Sequence, residues 1–141
     1  MKVLLWLDDN RNPQSPNWIE KYAPEYLNDG KIVWVKNYDE FVDWVERHIN
    51  RYGLPDMVAF DHDLADEHYR ASMYDEDEHY SDYYTDGTFT EKTGYDAAKW
   101  LVDFVDEHDM KFPKFVVQSA NPIGKKNIIK YIENAKKILD I

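Results

Sequence analysis

Val3-Leu4-Leu5-Trp6-Leu7-Asp8-Asp9 is a short apolar run that ends on two acids, and the pattern returns at Met57-Val58-Ala59-Phe60-Asp61-His62-Asp63. Both runs are apolar at every position rather than alternating, as strands covered on both faces of a parallel sheet should be. If they are neighbours, their carboxyl ends open into one crevice, the place where open α/β sheets bind ligands. Carboxylates gathered there repel one another unless a cation sits between them. The two runs together point to a divalent metal and a phosphorylated ligand.

Two further runs, Ile32-Val33-Trp34-Val35 and Phe115-Val116-Val117, are rich in β-branched and aromatic residues and suit buried strands. Helical patterns separate and follow them. Asn37 with Glu40 reads as a capping box, after which Phe41, Val45, Ile49 and Tyr52 recur at helical spacing until Gly53 and Pro55. Thr93 with Asp96 gives a second box, followed by Ala97, Leu101, Phe104 and Val105 on one face. Asn121 is a good N-cap for Pro122, and Ile128, Ile132, Ala135 and Leu139 form the last stripe. Between Pro13 and Asn28, Trp18, Ile19, Tyr22 and Tyr26 suit a short helix broken at Pro24. The alternation of strands and helices predicts one α/β domain over residues 1–141, a parallel sheet with helices on both faces. The expected strand order is 2-1-3-4, with the crevice between the first strand and the third.

The stretch 65–92 breaks this rhythm. It holds nine acids, two bases and five tyrosines without a sustained period. Connections in α/β units run about 2–6 residues, so this acidic, Tyr-rich insertion after the third strand is either a functional lid over the crevice or a disordered segment.

Composition narrows the classes. The 141 residues can bury a single core, and the absence of cysteine excludes disulfides, thiolate zinc sites and cysteine nucleophiles. The N-terminal run turns acidic too soon for a signal peptide, and no apolar run approaches the roughly 20 residues of a membrane span. A cytoplasmic protein is expected. A net charge of −11 with 17 basic residues disfavours long duplex nucleic acid, which needs a broad basic footprint. A nucleotide or strand end stays compatible, because a metal supplies positive charge locally.

Magnesium or manganese prefers hard oxygen ligands, which Asp8, Asp9 and Asp61 would supply from two adjacent strand ends. Asp61 and Asp63 share one side of an extended chain while His62 faces the other. Either Asp61 and Asp63 serve the site with His62 in support, or the strand has already turned and His62 takes part in acid–base chemistry. After the fourth run come Gln118-Ser119-Ala120-Asn121-Pro122-Ile123-Gly124-Lys125-Lys126-Asn127. Ser119 would reach the same crevice, and the helix start from Asn121 to Gly124 presents N–H groups suited to phosphate. Lys125 and Lys126 add a pair of bases nearby. Arg11 is placed to grip a phosphate oxygen pair. Gly94 would give backbone access close to the crevice.

These motifs resemble the receiver fold of two-component signalling, a flavodoxin-like three-layer architecture. Receivers carry an acidic pair after the first strand, a phospho-accepting aspartate after the third and Ser/Thr after the fourth, here Asp8-Asp9, Asp61 and Ser119. The finer pattern is similar to an offshoot, the cyclic-phosphate-processing receiver-like domains of bacteria and phages. Four segments carry that likeness: 7–13, 60–64, 93–96, and 119–124 running on to Asn127-Ile128. The resemblance implies a magnesium-dependent acidic site acting on cyclic or terminal phosphates of nucleotides or RNA. Phosphorelay receivers also have a lysine after a fifth strand, whereas this sequence reaches Ile141 just after the fourth helix. Aspartyl-phosphate signalling would then need Lys125 or Lys126 in its place.

Three functions follow as expectations. The first is a metal-dependent phosphoesterase. In it Asp8, Asp9 and Asp61 hold the ion, His62 or Asp63 moves the proton, and Arg11, Ser119, Asn121, Gly124 and Lys125 bind phosphate. Asp61 could alternatively attack phosphorus itself. The second is a non-enzymatic module of a phage or defence system that sequesters a phospholigand, or holds a protein partner through residues 65–92. The third is an atypical phospho-accepting receiver.

Overall fold

The computed structural model describes residues 2–14, 16–64 and 92–141. In chain order the elements are β1 (Val3–Leu7), α1 (Pro16–Tyr22), a 3-10 turn (Pro24–Tyr26), β2 (Lys31–Val35), α2 (Tyr38–Tyr52), β3 (Met57–Phe60), α3 (Gly94–Glu107), β4 (Lys114–Val117) and α4 (Pro122–Leu139). Residues 65–91 of the 65–92 insertion lie outside the described residues, and with them the lid-or-disorder question and the proposed partner surface. None of the described helices is long and apolar enough to cross a membrane.

All four strands are parallel, in the order β2-β1-β3-β4. β1 and β3 are central, and every residue of Leu4–Leu7 and Met57–Phe60 is buried, which is why these segments could be apolar at each position. β2 and β4 form the edges and open on lysines, Lys31 and Lys114, one residue before the apolar runs begin. At an edge the strand's first side chain can face water while its backbone still pairs.

Alternation along the strands divides the core in two. Leu5, Leu7, Val58 and Phe60 face α2, α3 and α4, packing with Phe41, Val45, Leu101, Val105, Ile128 and Ile132. Leu4, Trp6, Met57 and Ala59 face the other way, against Ile19 of α1, Tyr26 of the 3-10 turn and Ala23 between them. The architecture is thus a three-layer receiver-like α/β fold.

The helices start where their caps predict. Asn37 Oδ1 accepts the Glu40 N–H at 2.8 Å, and Thr93 and Asp96 form a reciprocal box at the head of α3. The apolar stripes fade toward the helix ends. Tyr52 is 68% exposed and Leu139 also stands in solvent, although their spacing placed both on the buried faces. Both residues lie in the last turn of their helix, where the apolar stripe leaves the core. Tyr52 instead stacks on His48 of its own helix, with Arg51 over its ring.

Candidate functional site

The parallel ladder continues one residue beyond β1, β3 and β4. Asp8 donates its N–H to Val35 O at 3.0 Å, Asp61 to Leu7 O at 3.0 Å and Gln118 to Phe60 O at 2.9 Å. Asp8, Asp61 and Gln118 therefore stand level at the carboxyl edge of the sheet. This is the point where the chain turns one way to β2 and the other way to β4, the switch point at which such sheets bind ligands.

Oxygens of Asp8, Asp9 and Asp61 lie within 4.8 Å of one another. Asp8 is fully buried and Asp61 nearly so. The loop behind them is tied down by indoles: Trp34 Nε1 donates to Asp8 O at 2.7 Å and Trp6 Nε1 to Arg11 O at 3.0 Å. Asp8 Oδ1 accepts the N–H groups of Asn10 and Arg11, both at 2.9 Å. Its second oxygen, Oδ2, is buried with no hydrogen-bond donor among the described residues. A buried carboxylate oxygen without a donor, beside two more acids, matches what a hard divalent cation requires, so the donor set fits magnesium or manganese. The cluster could bind a metal as receiver domains do.

Without a cation this arrangement is electrostatically strained. Burial, then the charges of Asp8 and Asp63, push the Asp61 carboxyl up to about 8, with Arg11 opposing them. Asp8 is also raised, chiefly by burial and further by Asp9, against the Asn10 and Arg11 hydrogen bonds and the Arg11 charge.

The neighbouring residues divide between this cluster and the scaffold behind it. His62 and Asp63 do not join the three-acid group among the described residues. His62 is fully buried, its Nδ1 stands 2.9 Å from Asp63 Oδ1, and that oxygen also accepts Asn121 Nδ2–H at 3.1 Å. Asn121 Oδ1 accepts the Gly124 N–H at 2.9 Å, and its own N–H donates to Ser119 Oγ at 3.1 Å. This chain of contacts ties the end of β3 to the head of α4. Asn121 and Gly124 are thus engaged by the protein itself, as cap and as packing surface for His62.

Arg11 is similarly engaged: Nη1 donates to Gln118 O, and the guanidinium lies 4.6 Å over the Trp18 ring. Ser119 is nearly buried at the end of β4. Lys125 and Lys126 are exposed, bordering an open groove with Pro122, Ile129 and Lys130.

Two glycines make these approaches possible. A Cβ at Gly94 would stand 1.7 Å from Asp61 O, and one at Gly124 would stand 2.4 Å from His62 Cγ. Gly94 N–H also donates to His62 O at 2.8 Å, which brings the head of α3 directly onto the acidic strand end. The sequence marked Trp18 only as a residue of a short helix and gave Gln118 no role, because their parts here depend on long-range contacts and not on a motif. The apolar-to-polar break at Gln118 was the available signal.

Asn121→Ala removes both the helix cap and the donor to Asp63. It is expected to lower stability by about 2 kcal/mol, measured by urea unfolding, and a loss within error of zero would mean the network carries no load.

Searches of curated proteins and of solved structures returned no match. A family model described as the cyclic-phosphate processing receiver domain matches residues 3–134. That span runs from the first residue of β1 well into α4 and takes in every strand end just described. The chain belongs to the cyclic-phosphate processing receiver domain family.

Proposed function

We propose that this domain is a divalent-metal-dependent phosphoesterase acting on cyclic or terminal phosphates of nucleotides or RNA ends, in the cytoplasm of a bacterium or phage-infected cell. One observation carries the reading: three carboxylates, two of them buried, gather at adjacent strand ends, and burial with the neighbouring charges raises Asp61 to about 8, a cost that a bound cation would offset. Asp8, Asp9 and Asp61 would hold magnesium or manganese. Such an ion polarises the phosphoryl group and lowers the pKa of a bound water.

The chain's own groups do the rest. Ser119 offers a hydroxyl at the neighbouring strand end, and Lys125 supplies a mobile positive charge at the start of α4. Arg11 shares its guanidinium between Gln118 O and the carboxylates, balancing charge as phosphate arrives. Enclosed by Gly124, His62 acts with Asp63 to hold the β3 end in register; proton transfer to a leaving oxygen falls to that pair only through Asp63.

The test is turnover of 2′,3′-cyclic nucleotides followed by phosphorus NMR. Hydrolysis is expected with magnesium and is expected to stop in excess EDTA. Unchanged turnover in EDTA would remove the metal from the mechanism, and tight binding without product would favour the sequestering reading.

A further inference from the structure

The end of β4 carries a buried side-chain amide outside the three-carboxylate cluster. Gln118 has no solvent exposure, and its side chain reaches back across the sheet so that Nε2 donates to Leu7 O at 2.9 Å. A carbonyl can only accept, so the amide nitrogen must face Leu7 and the amide oxygen must point away from it. That oxygen, Oε1, is buried and receives no hydrogen bond among the described residues. Asp8 Oδ2 is in the same condition.

The two oxygens belong to one neighbourhood. Leu7 O accepts both the Gln118 amide and the Asp61 N–H, the latter at 3.0 Å. The Gln118 amide therefore lies against the backbone of an acid in the three-carboxylate cluster. Its main-chain oxygen takes Arg11 Nη1, and Arg11 is the cation whose charge both Asp8 and Asp61 feel. Two buried acceptors without donors, on residues tied to the same Leu7–Asp8 strand end, call for a donor or a positive centre and not for another acceptor.

Resting on the metal-site reading above, we infer that Gln118 Oε1 is a further oxygen ligand of the cation held by Asp8, Asp9 and Asp61. Side-chain amide oxygens are ordinary ligands of hard divalent ions. A neutral oxygen completes the shell without adding a fourth negative charge to a site already crowded with them. The Nε2–H bond to Leu7 O fixes the amide's orientation, as the groups behind a ligand commonly do.

The experiment is calorimetric titration of the full chain with MgCl2 and MnCl2, using wild type, Gln118→Met and Gln118→Glu. Gln118→Met keeps the length but loses the oxygen, and is expected to weaken both metals by roughly 10- to 100-fold. Gln118→Glu loses the donor to Leu7 O but keeps an oxygen ligand, and is expected to bind at least as tightly as wild type. Wild-type affinity in Gln118→Met overturns the inference. So does Gln118→Glu binding as weakly as Gln118→Met, since the amide would then serve only as a brace. If Gln118→Met does not fold, Gln118→Glu decides alone: equal or tighter binding supports the ligand role, and weaker binding overturns it. Absence of metal binding by wild type would defeat the three-carboxylate reading itself, a result distinct from failure of Gln118 alone.

Discussion

Asp61→Asn is expected to keep the fold, weaken magnesium binding by at least roughly 100-fold, and lower turnover of cyclic phosphates by roughly 1,000-fold or more. The substitution preserves shape while removing the charge at the centre of the cluster. It should also alter stability in a direction that a purely structural aspartate would not. In the metal-free fold Asp61 keeps its proton up to about 8, against an ordinary value of 3.8, so between those values the folded chain binds more protons than the unfolded one. Stability of the metal-free wild type is therefore fully present below about pH 4 and falls as pH rises toward 8. Asp8, shifted in the same direction, adds to that fall.

Asp61→Asn removes the larger part of the slope. Urea unfolding in EDTA across pH 5 to 9 should show the variant gaining on wild type as pH rises, and identical slopes would mean that Asp61 is not the buried titrating group. Metal and proton compete for the same oxygens, so wild-type magnesium affinity should strengthen by up to roughly tenfold per pH unit below about 8 and then level off. Hydrolysis by the variant at the wild-type rate would sink the proposed role of this residue.

Gly94→Ala should be the most damaging glycine-to-alanine change among the described residues. The added carbon would lie 1.7 Å from the Asp61 main-chain oxygen, far inside contact distance, and neither partner is a flexible side chain. Relief requires moving the head of α3 away from β3, breaking the Gly94 N–H bond to His62 O and the Thr93–Asp96 box beside it. A loss of about 3 kcal/mol or more is expected in urea unfolding, with metal binding lost as the Asp61 backbone shifts. Gly124→Ala should be milder, because the His62 ring that it strikes at 2.4 Å is a side chain that can turn. A cost for Gly94→Ala below that for Gly124→Ala would contradict the packing at the α3 head.

Much of this arrangement was legible in the residues. Val3–Leu7 and Met57–Phe60 form strands with the bounds that their apolar runs suggest, and Asn37, Thr93 and Asn121 cap the helices that follow. Such features are local: a strand is marked by where a run begins and ends, and a cap by a side chain three residues from its partner. The alternation of strands and helices did the rest, since parallel neighbours need helical crossovers, and the expected order 2-1-3-4 is the one found. Tyr52 and Leu139 misled because helical spacing reports a face and says nothing about where the neighbouring layer stops.

The sequence by itself determined that two acidic strand ends exist and that a parallel sheet would bring them together, because periodicity, capping and crossover length are set within short stretches of chain. Only the tertiary structure decided what surrounds them. Arg11 meets Gln118 across 107 positions, Asp63 meets Asn121 across 58, and Gly94 touches Asp61 so closely that no side chain fits between. Those contacts follow from how near three layers pack at one edge of a sheet, a distance set by the side chains of every layer at once.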